Sequence, residues 1–242
     1  MARYLEAVGE SRNESTLQLT TWYKIAKPPP GKGFLCDEVE GTVTARIGNA
    51  KPDITESYRP RKYPQQAIDN LGAALAPTSH AMAMPTFTVE AKPTEKGIMN
   101  AELQCAYDSA IVVDAVRIIQ ESLGKGFDSF WMATQALTLA YNRNDMTILA
   151  NHAVESTSGV QRYSYPLFSD TPRHSFEHFK LTRNHTRNAQ DWSRKRATKI
   201  LEELRDQDCA LGPITPPQSD LTNHRDDARS TTRRRMSEGV ED

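Results

Sequence analysis

The sequence predicts an α+β domain, a mixed central sheet flanked by helices, and three observations lead there. Helix-like and strand-like stretches alternate along the chain rather than segregating. Two long helical patterns, at residues 100–123 and 175–206, bracket a run of strands. No repeat of fixed period appears, which excludes solenoids and propellers. At 242 residues, a compact fold buries roughly 70% of its unfolded surface and needs no disulfide or metal to hold a core.

The elements follow in order. Residues 14–26 carry Leu17, Leu19, Trp22 and Ile25 and run into Pro28, Pro29 and Pro30, the pattern of a helix stopped by proline. Residues 34–47 alternate and are β-branched, predicting a strand pair that turns near Gly41. A Pro-rich insertion occupies 59–85, with one short helical candidate at 65–75. Thr86-Phe87-Thr88-Val89-Glu90 alternates cleanly and predicts a strand. For the helix at 100–123, Asn100 is the expected cap, Glu102 suits the positive end, and Gly124 follows the last turn. Its expected apolar face holds Leu103, Tyr107, Ala110, Ile111, Ile118 and Ile119. Strand-like runs come at 135–141, 147–154 and 161–167, and Trp22, Trp131 and Trp192 read as packing residues. The ordered domain is expected to span 1–206. Residues 207–242 hold Pro213, Pro216 and Pro217 and no aromatic residue, the composition of a disordered tail.

Charge and cysteine content narrow the function. Thirty Lys and Arg against 31 Asp and Glu give a net charge of −1. That excludes a globally basic nucleic-acid binder and leaves room for a local patch. No stretch reaches the ~18 apolar residues of a membrane span, and the first residues lack the apolar core of a secretory signal. Cys36, Cys105 and Cys209 stand far apart with no C-x-x-C pair, the usage of a reducing intracellular compartment rather than a zinc site. Arg233-Arg234-Arg235 is a weak nuclear-import signal.

The chemistry-bearing residues are Asp53 in Lys51-Pro52-Asp53, then Glu90 and Lys92 in Glu90-Ala91-Lys92, then Gln104 in the next helix. Two positions apart on a strand, Glu90 and Lys92 project from one face. Two acids and an amine make poor core. A hard divalent cation such as Mg2+ or Mn2+ takes one or two carboxylates and keeps water in its shell. Bound metal makes hydroxide available near neutral pH, and Lys92 could then orient that water or neutralise charge developing on a phosphorane.

This order of residues resembles the PD-(D/E)XK nuclease superfamily, and within it the fungal nuclease-like domains of unknown function. Pro52-Asp53 matches the PD element, Glu90-Ala91-Lys92 the E-x-K, Asn13-Glu14 the opening helix, and Gln104 through Ala110 the glutamine helix. A late helix with Phe176, Phe179, Arg187, Asn188, Asp191 and Trp192 is similar to the family's closing helix. The resemblance spans residues 13–206. It implies Glu14, Asp53 and Glu90 as metal-site acids, Lys92 as the catalytic lysine and Gln104 as a steadying group. Two features depart from the pattern: Pro93 follows Lys92 directly, and the insertion between the acids is long. A nuclease is the leading expectation. A non-catalytic interaction module that kept the fold is the alternative.

Two further signals stand beside these. Residues 173–199 hold eight Lys or Arg against Glu177 and Asp191, a solvated helix face or a phosphate-tracking surface built on Arg183, Arg187, Arg194 and Arg196. His174-Ser175-Phe176-Glu177-His178 has the H-x-x-E-H order of inverted zinc peptidases. It lacks a second helix to bring the third ligand, and an amphipathic face is the simpler reading. Gly124-Lys125-Gly126 has no phosphate-loop spacing and reads as a helix stop.

Overall fold

The computed structural model describes residues 25–26, 34–37, 52–75, 83–93, 97–142 and 144–211. Among these, six strands form one sheet in chain order: β1 (Phe34–Asp37), β2 (Ile54–Tyr58), β3 (Ala83–Ala91), β4 (Ala136–Tyr141), β5 (Met146–Ser156) and β6 (Gly159–Asp170). Three α-helices among the described residues accompany it: α1 (Gln65–Leu71), α2 (Gly97–Ser122) and α3 (Phe176–Leu211). Neighbouring strands are antiparallel except β3 and β4, which run parallel. A parallel pair requires a crossover, and α2 is that crossover. The protein is thus a mixed α+β fold with a central mixed sheet flanked by helices.

Period-two alternation sorts β3 between two environments. Phe87, Val89 and Ala91 enter a core with Leu137, Leu139, Tyr141 and Ile148 of the sheet and Phe179 and Ala189 of α3, with Trp192 packed against it. Glu90 points the other way, toward α2. There Ala101 and Cys105 pack on Ala140 and Leu149. Further along α2, Ile111, Val112, Val116 and Ile119 cluster with Ala136, Ala153, Phe130 and the α3 residues Leu201 and Leu204. Trp131 packs against that cluster.

Several boundaries differ from the sequence reading, each for a local reason. Helix α2 begins at Gly97, so Asn100 lies inside it rather than capping it. Its far end stops as read. Gly124 adopts φ 64°, its N–H donates to Glu121 O at 3.0 Å, and the Lys125 N–H donates to Gln120 O at 3.1 Å. That pair of bonds is a Schellman cap. The apolar face of the first half of α2 is not the expected one. Leu103 and Tyr107 are 72% and 38% exposed, while Ala101, Cys105, Asp108 and Ser109 are buried. Small and polar residues let the helix lie close to the sheet and turn Asp108 inward.

Strand β3 starts at Ala83, so Pro85 sits within it. The ladder with β2 shifts register between Glu56 and Tyr58, and Met84 takes φ 50°. The Ser57 hydroxyl bonds to the carbonyls of Ala83 and Met84 at this irregularity. A bulge is where a strand tolerates proline. The Pro-rich stretch itself holds α1 between two 3-10 turns, Pro60–Lys62 and Gly72–Ala74. Helix α3 continues to Leu211, past the expected end at Asp206. Glu14, most of the expected helix at 14–26, most of the strand pair at 34–47, and residues 212–242 lie outside the described residues. No helix among the described residues is long and apolar enough to cross a membrane.

Candidate functional site

Antiparallel pairing of β2 with β3 sets Ile54 opposite Val89, which brings Asp53, just before β2, to Glu90. The two residues clasp each other through their backbones. The Asp53 N–H donates to Glu90 Oε1 at 3.2 Å, and the Ala91 N–H donates to Asp53 Oδ2 at 2.7 Å. Lys92 Nζ donates to Glu90 Oε2 at 3.2 Å, so the expected shared face of Glu90 and Lys92 is realised. The strand stops at Ala91, as Pro93 requires, yet the Lys92 N–H still donates to Tyr141 O at 3.0 Å. Lys92 is therefore fixed at both its backbone and its ammonium. Glu90 is fully buried, and Lys92 nearly so.

Helix α2 adds Asp108, four residues after Gln104. It is 1% exposed and interacts electrostatically with Asp53, Glu90 and Lys92. Burial above all pushes the Glu90 carboxyl up, to about 10; the hydrogen bond to Asp108 and the charges of Asp53 and Asp108 add to it, and Lys92 opposes. Burial also raises Asp108, to about 6, while the Glu90 hydrogen bond holds it lower than it would otherwise be. Cys105, one turn before Asp108, is raised by burial and by both acids, so its thiol stays protonated. Gln104 is half-buried on the same side of α2 as Asp108, one turn earlier. No hydrogen bond joins it to the acids among the described residues. The sequence signal for Asp108 was the file of small residues Ala101, Cys105 and Ser109, which marks close helix–sheet approach better than Leu103 and Tyr107 do.

The basic helix is largely tied to its own fold. Arg194 pairs with buried Glu56, Nη2 to Oε2 at 3.1 Å, and its side chain is 12% exposed. Arg187 donates to the carbonyls of Ile25 and Ala26 at 3.2 and 3.4 Å. Arg196 donates to the carbonyl and side-chain oxygens of Gln135. Arg183 is half-buried on the same helix. In the H-x-x-E-H stretch, the His174 and His178 rings meet edge-on at 4.9 Å, and His178 Nδ1 lies 2.5 Å from Asp170 Oδ1. No group of three or more His, Cys, Asp or Glu among the described residues is arranged to hold a metal ion.

Fold and site together define an α+β protein in which two buried acids, Glu90 and Asp108, and the half-buried Asp53 gather near Lys92 at the end of a sheet strand. The chain belongs to the family described as Domain of unknown function (DUF7924), whose model matches residues 2–204. Comparison with curated proteins and with solved structures returns no match.

Proposed function

We propose that this protein is a PD-(D/E)XK-type phosphodiester hydrolase that acts on nucleic acid with Mg2+ or Mn2+. The observation that carries the reading is the clasp of Asp53, Glu90 and Lys92 at the ends of adjoining strands, in the order and on the elements that the superfamily pattern requires. The donors suit a hard cation, because carboxylate oxygens are its preferred ligands. Such a cation needs one or two of them, with water completing the shell, so a finished three-residue group is not required. Asp53 and Glu90 would hold it. When bound, it makes hydroxide available near neutral pH by lowering the pKa of water. Lys92, anchored by Tyr141 and Glu90, would offset negative charge that develops on the phosphoryl oxygens, an effect that grows in a buried site.

The test combines Mn2+ calorimetry with cleavage assays on single- and double-stranded DNA and RNA. Asp53→Ala and Glu90→Ala should lose Mn2+ binding and cleavage together. Lys92→Ala should keep most of the binding and lose cleavage, because its charge acts mainly in the transition state. A wild-type protein that binds no divalent metal and cleaves nothing overturns the reading. One observation favours a second reading, a non-catalytic interaction module: Arg187, Arg194 and Arg196 are engaged within the protein, which weakens the basic helix as a phosphate-tracking surface.

A further inference from the structure

The α3 side of the sheet stays open at its β6 edge, and the residues there are aromatic. Register sets Tyr163 opposite His152 and Tyr165 opposite Ala150, and alternation along β5 puts all four on the side of Ile148 and α3. Arg162 points the other way, to Asp114 of α2. Tyr163 and Tyr165 are 46% and 44% exposed, yet their rings are held. His152 stacks on Tyr163 at 5.4 Å and 17° and meets Tyr165 edge-on at 5.6 Å, and the Tyr163 hydroxyl donates to Gln161 Oε1 at 2.6 Å. Two residues on from Tyr165, Leu167 lines a cleft of about 260 Å³ with Phe168, Leu137, His185, Asn188 and Trp192. His185 lies flat on Phe168 at 4.1 Å. No acid is among the residues that line this cleft. The charge beside it is positive. Lys195 and Lys199 follow Trp192 by three and seven residues, on the same side of α3, and both are exposed. Lys199 reaches Glu203 only at 3.9 Å, an acid that Lys125 holds at 2.5 Å.

We infer that this strip and cleft bind single-stranded nucleic acid, with bases stacking on Tyr163, Tyr165 and His152, one base entering the cleft, and the backbone following Lys195 and Lys199. The inference rests on the hydrolase reading and names its substrate class. Exposed ring faces beside cations suit unpaired bases, because every base has a face to stack and every nucleotide a phosphate to neutralise. In a duplex those faces are already stacked on one another, so the rings select the single strand. Glu90 points to the opposite side of the sheet, toward α2, so the strip anchors a strand at a distance from the acids.

The experiment follows fluorescence anisotropy of a labelled oligo-dT of about 12 nucleotides, within the usual span of single-strand sites. It is titrated with the full chain in EDTA, so that no cleavage intervenes. Wild type should bind it more tightly than a duplex of the same length. Tyr163→Ala with Tyr165→Ala should weaken binding about tenfold or more, whereas Tyr163→Phe with Tyr165→Phe should keep it, since the stacking faces remain. If the double alanine variant fails to fold by circular dichroism, Tyr165→Ala alone carries the same expectation. Lys195→Ala with Lys199→Ala should flatten the salt dependence by up to about two counterions. A duplex bound as tightly as the single strand, or unchanged affinity in the alanine variants, overturns the inference and leaves the hydrolase reading to its own metal and cleavage tests. An unchanged salt slope in the lysine variant overturns the backbone path along α3. A polyproline peptide that binds where the oligonucleotide does not would assign the strip to peptide recognition and overturn the inference too. A wild type that binds neither form of nucleic acid overturns it outright, and if that protein also takes up no Mn2+ the hydrolase reading falls with it.

Discussion

Glu56 and Glu90 stand on neighbouring strands and are both buried, yet their surroundings are opposite. Glu56, on β2, faces α3, where the Arg194 guanidinium and the Gln190 amide supply its donors. Burial still lifts its carboxyl above the ordinary value; the charge of Arg194 and the hydrogen bonds from Gln190 and Arg194 pull against that, and Asp191 adds to it. Glu90, on β3, faces α2, where one lysine serves a cluster of three acids. One arrangement is matched charge for charge, and the other is short of positive charge. A fold can bury an ion pair at little net cost when the geometry is complete, but an incomplete one persists where a function uses it. The difference separates a fastener from a candidate site.

The largest expected effect breaks the fastener. Glu56→Ala takes from the nearly buried Arg194 guanidinium its carboxylate partner at 3.1 Å, which costs ~3–5 kcal/mol for a broken buried pair. In a domain of this size that lowers the melting temperature on the order of 10 °C. Glu90→Gln removes an acid equally buried and should show no such loss. Circular dichroism melts of the two variants side by side check this. A similar drop in both would erase the distinction between the two glutamates.

Much of the fold was readable because regular periodicity survives in it. β3 through β6 alternate or run apolar, and α2 and α3 keep long helical patterns between a glycine stop and a charged face. β2 was less visible: five residues, Ile54 to Tyr58, with Glu56 and Ser57 buried in its middle. Burial of polar residues by tertiary partners leaves no local signature. Glu90 and Lys92 were legible as a pair because strand geometry alone puts them on one face, whereas Asp53 joined them only through the resemblance, since its approach depends on the pairing of β2 with β3. Asp108 was not legible, since its position depends on which side of α2 meets the sheet. There the exposed Leu103 and Tyr107 misdirect a reading based on hydrophobicity. The arginines of α3 were legible as charge, whereas their partners Glu56, Gln135 and the carbonyls of Ile25 and Ala26 lie far off in sequence.

The second effect concerns pH and the metal-free protein. The Glu90 carboxyl titrates near 10 in the fold against 4.5 for the ordinary group, so the native state holds the extra proton between those values. Its contribution to stability is whole below the ordinary value and is lost as pH rises through the window. Asp108 adds to the decline between 3.8 and about 6. Melting temperature without metal should therefore fall from pH 5 to pH 9. Glu90→Gln, which cannot ionise, should flatten the fall and melt a few degrees above wild type at pH 9, each kcal/mol being about 2–4 °C here. A wild-type curve as flat as the variant's would show that Glu90 is not strained by its neighbours.

The smallest expected effect sharpens the contrast from the other side. If Glu56 and Arg194 are a matched pair, removing both should cost far less than removing one, because no buried charge is left without its partner. Glu56→Gln combined with Arg194→Gln should recover most of the stability lost in Glu56→Ala, leaving a deficit of about 1 kcal/mol, the scale of a net hydrogen bond. Under the proposed reading, in which the protein acts on nucleic acid, the same double variant also tests whether Arg194 meets phosphate. An arginine that meets phosphate directly sets about one counterion of the salt dependence. Arg194 is 12% exposed and turned to Glu56, so the slope of binding affinity against salt should be the same in wild type and double variant. A slope flattened by about one counterion, with stability recovered, would place Arg194 on the nucleic acid and make Glu56 its support in holding that position.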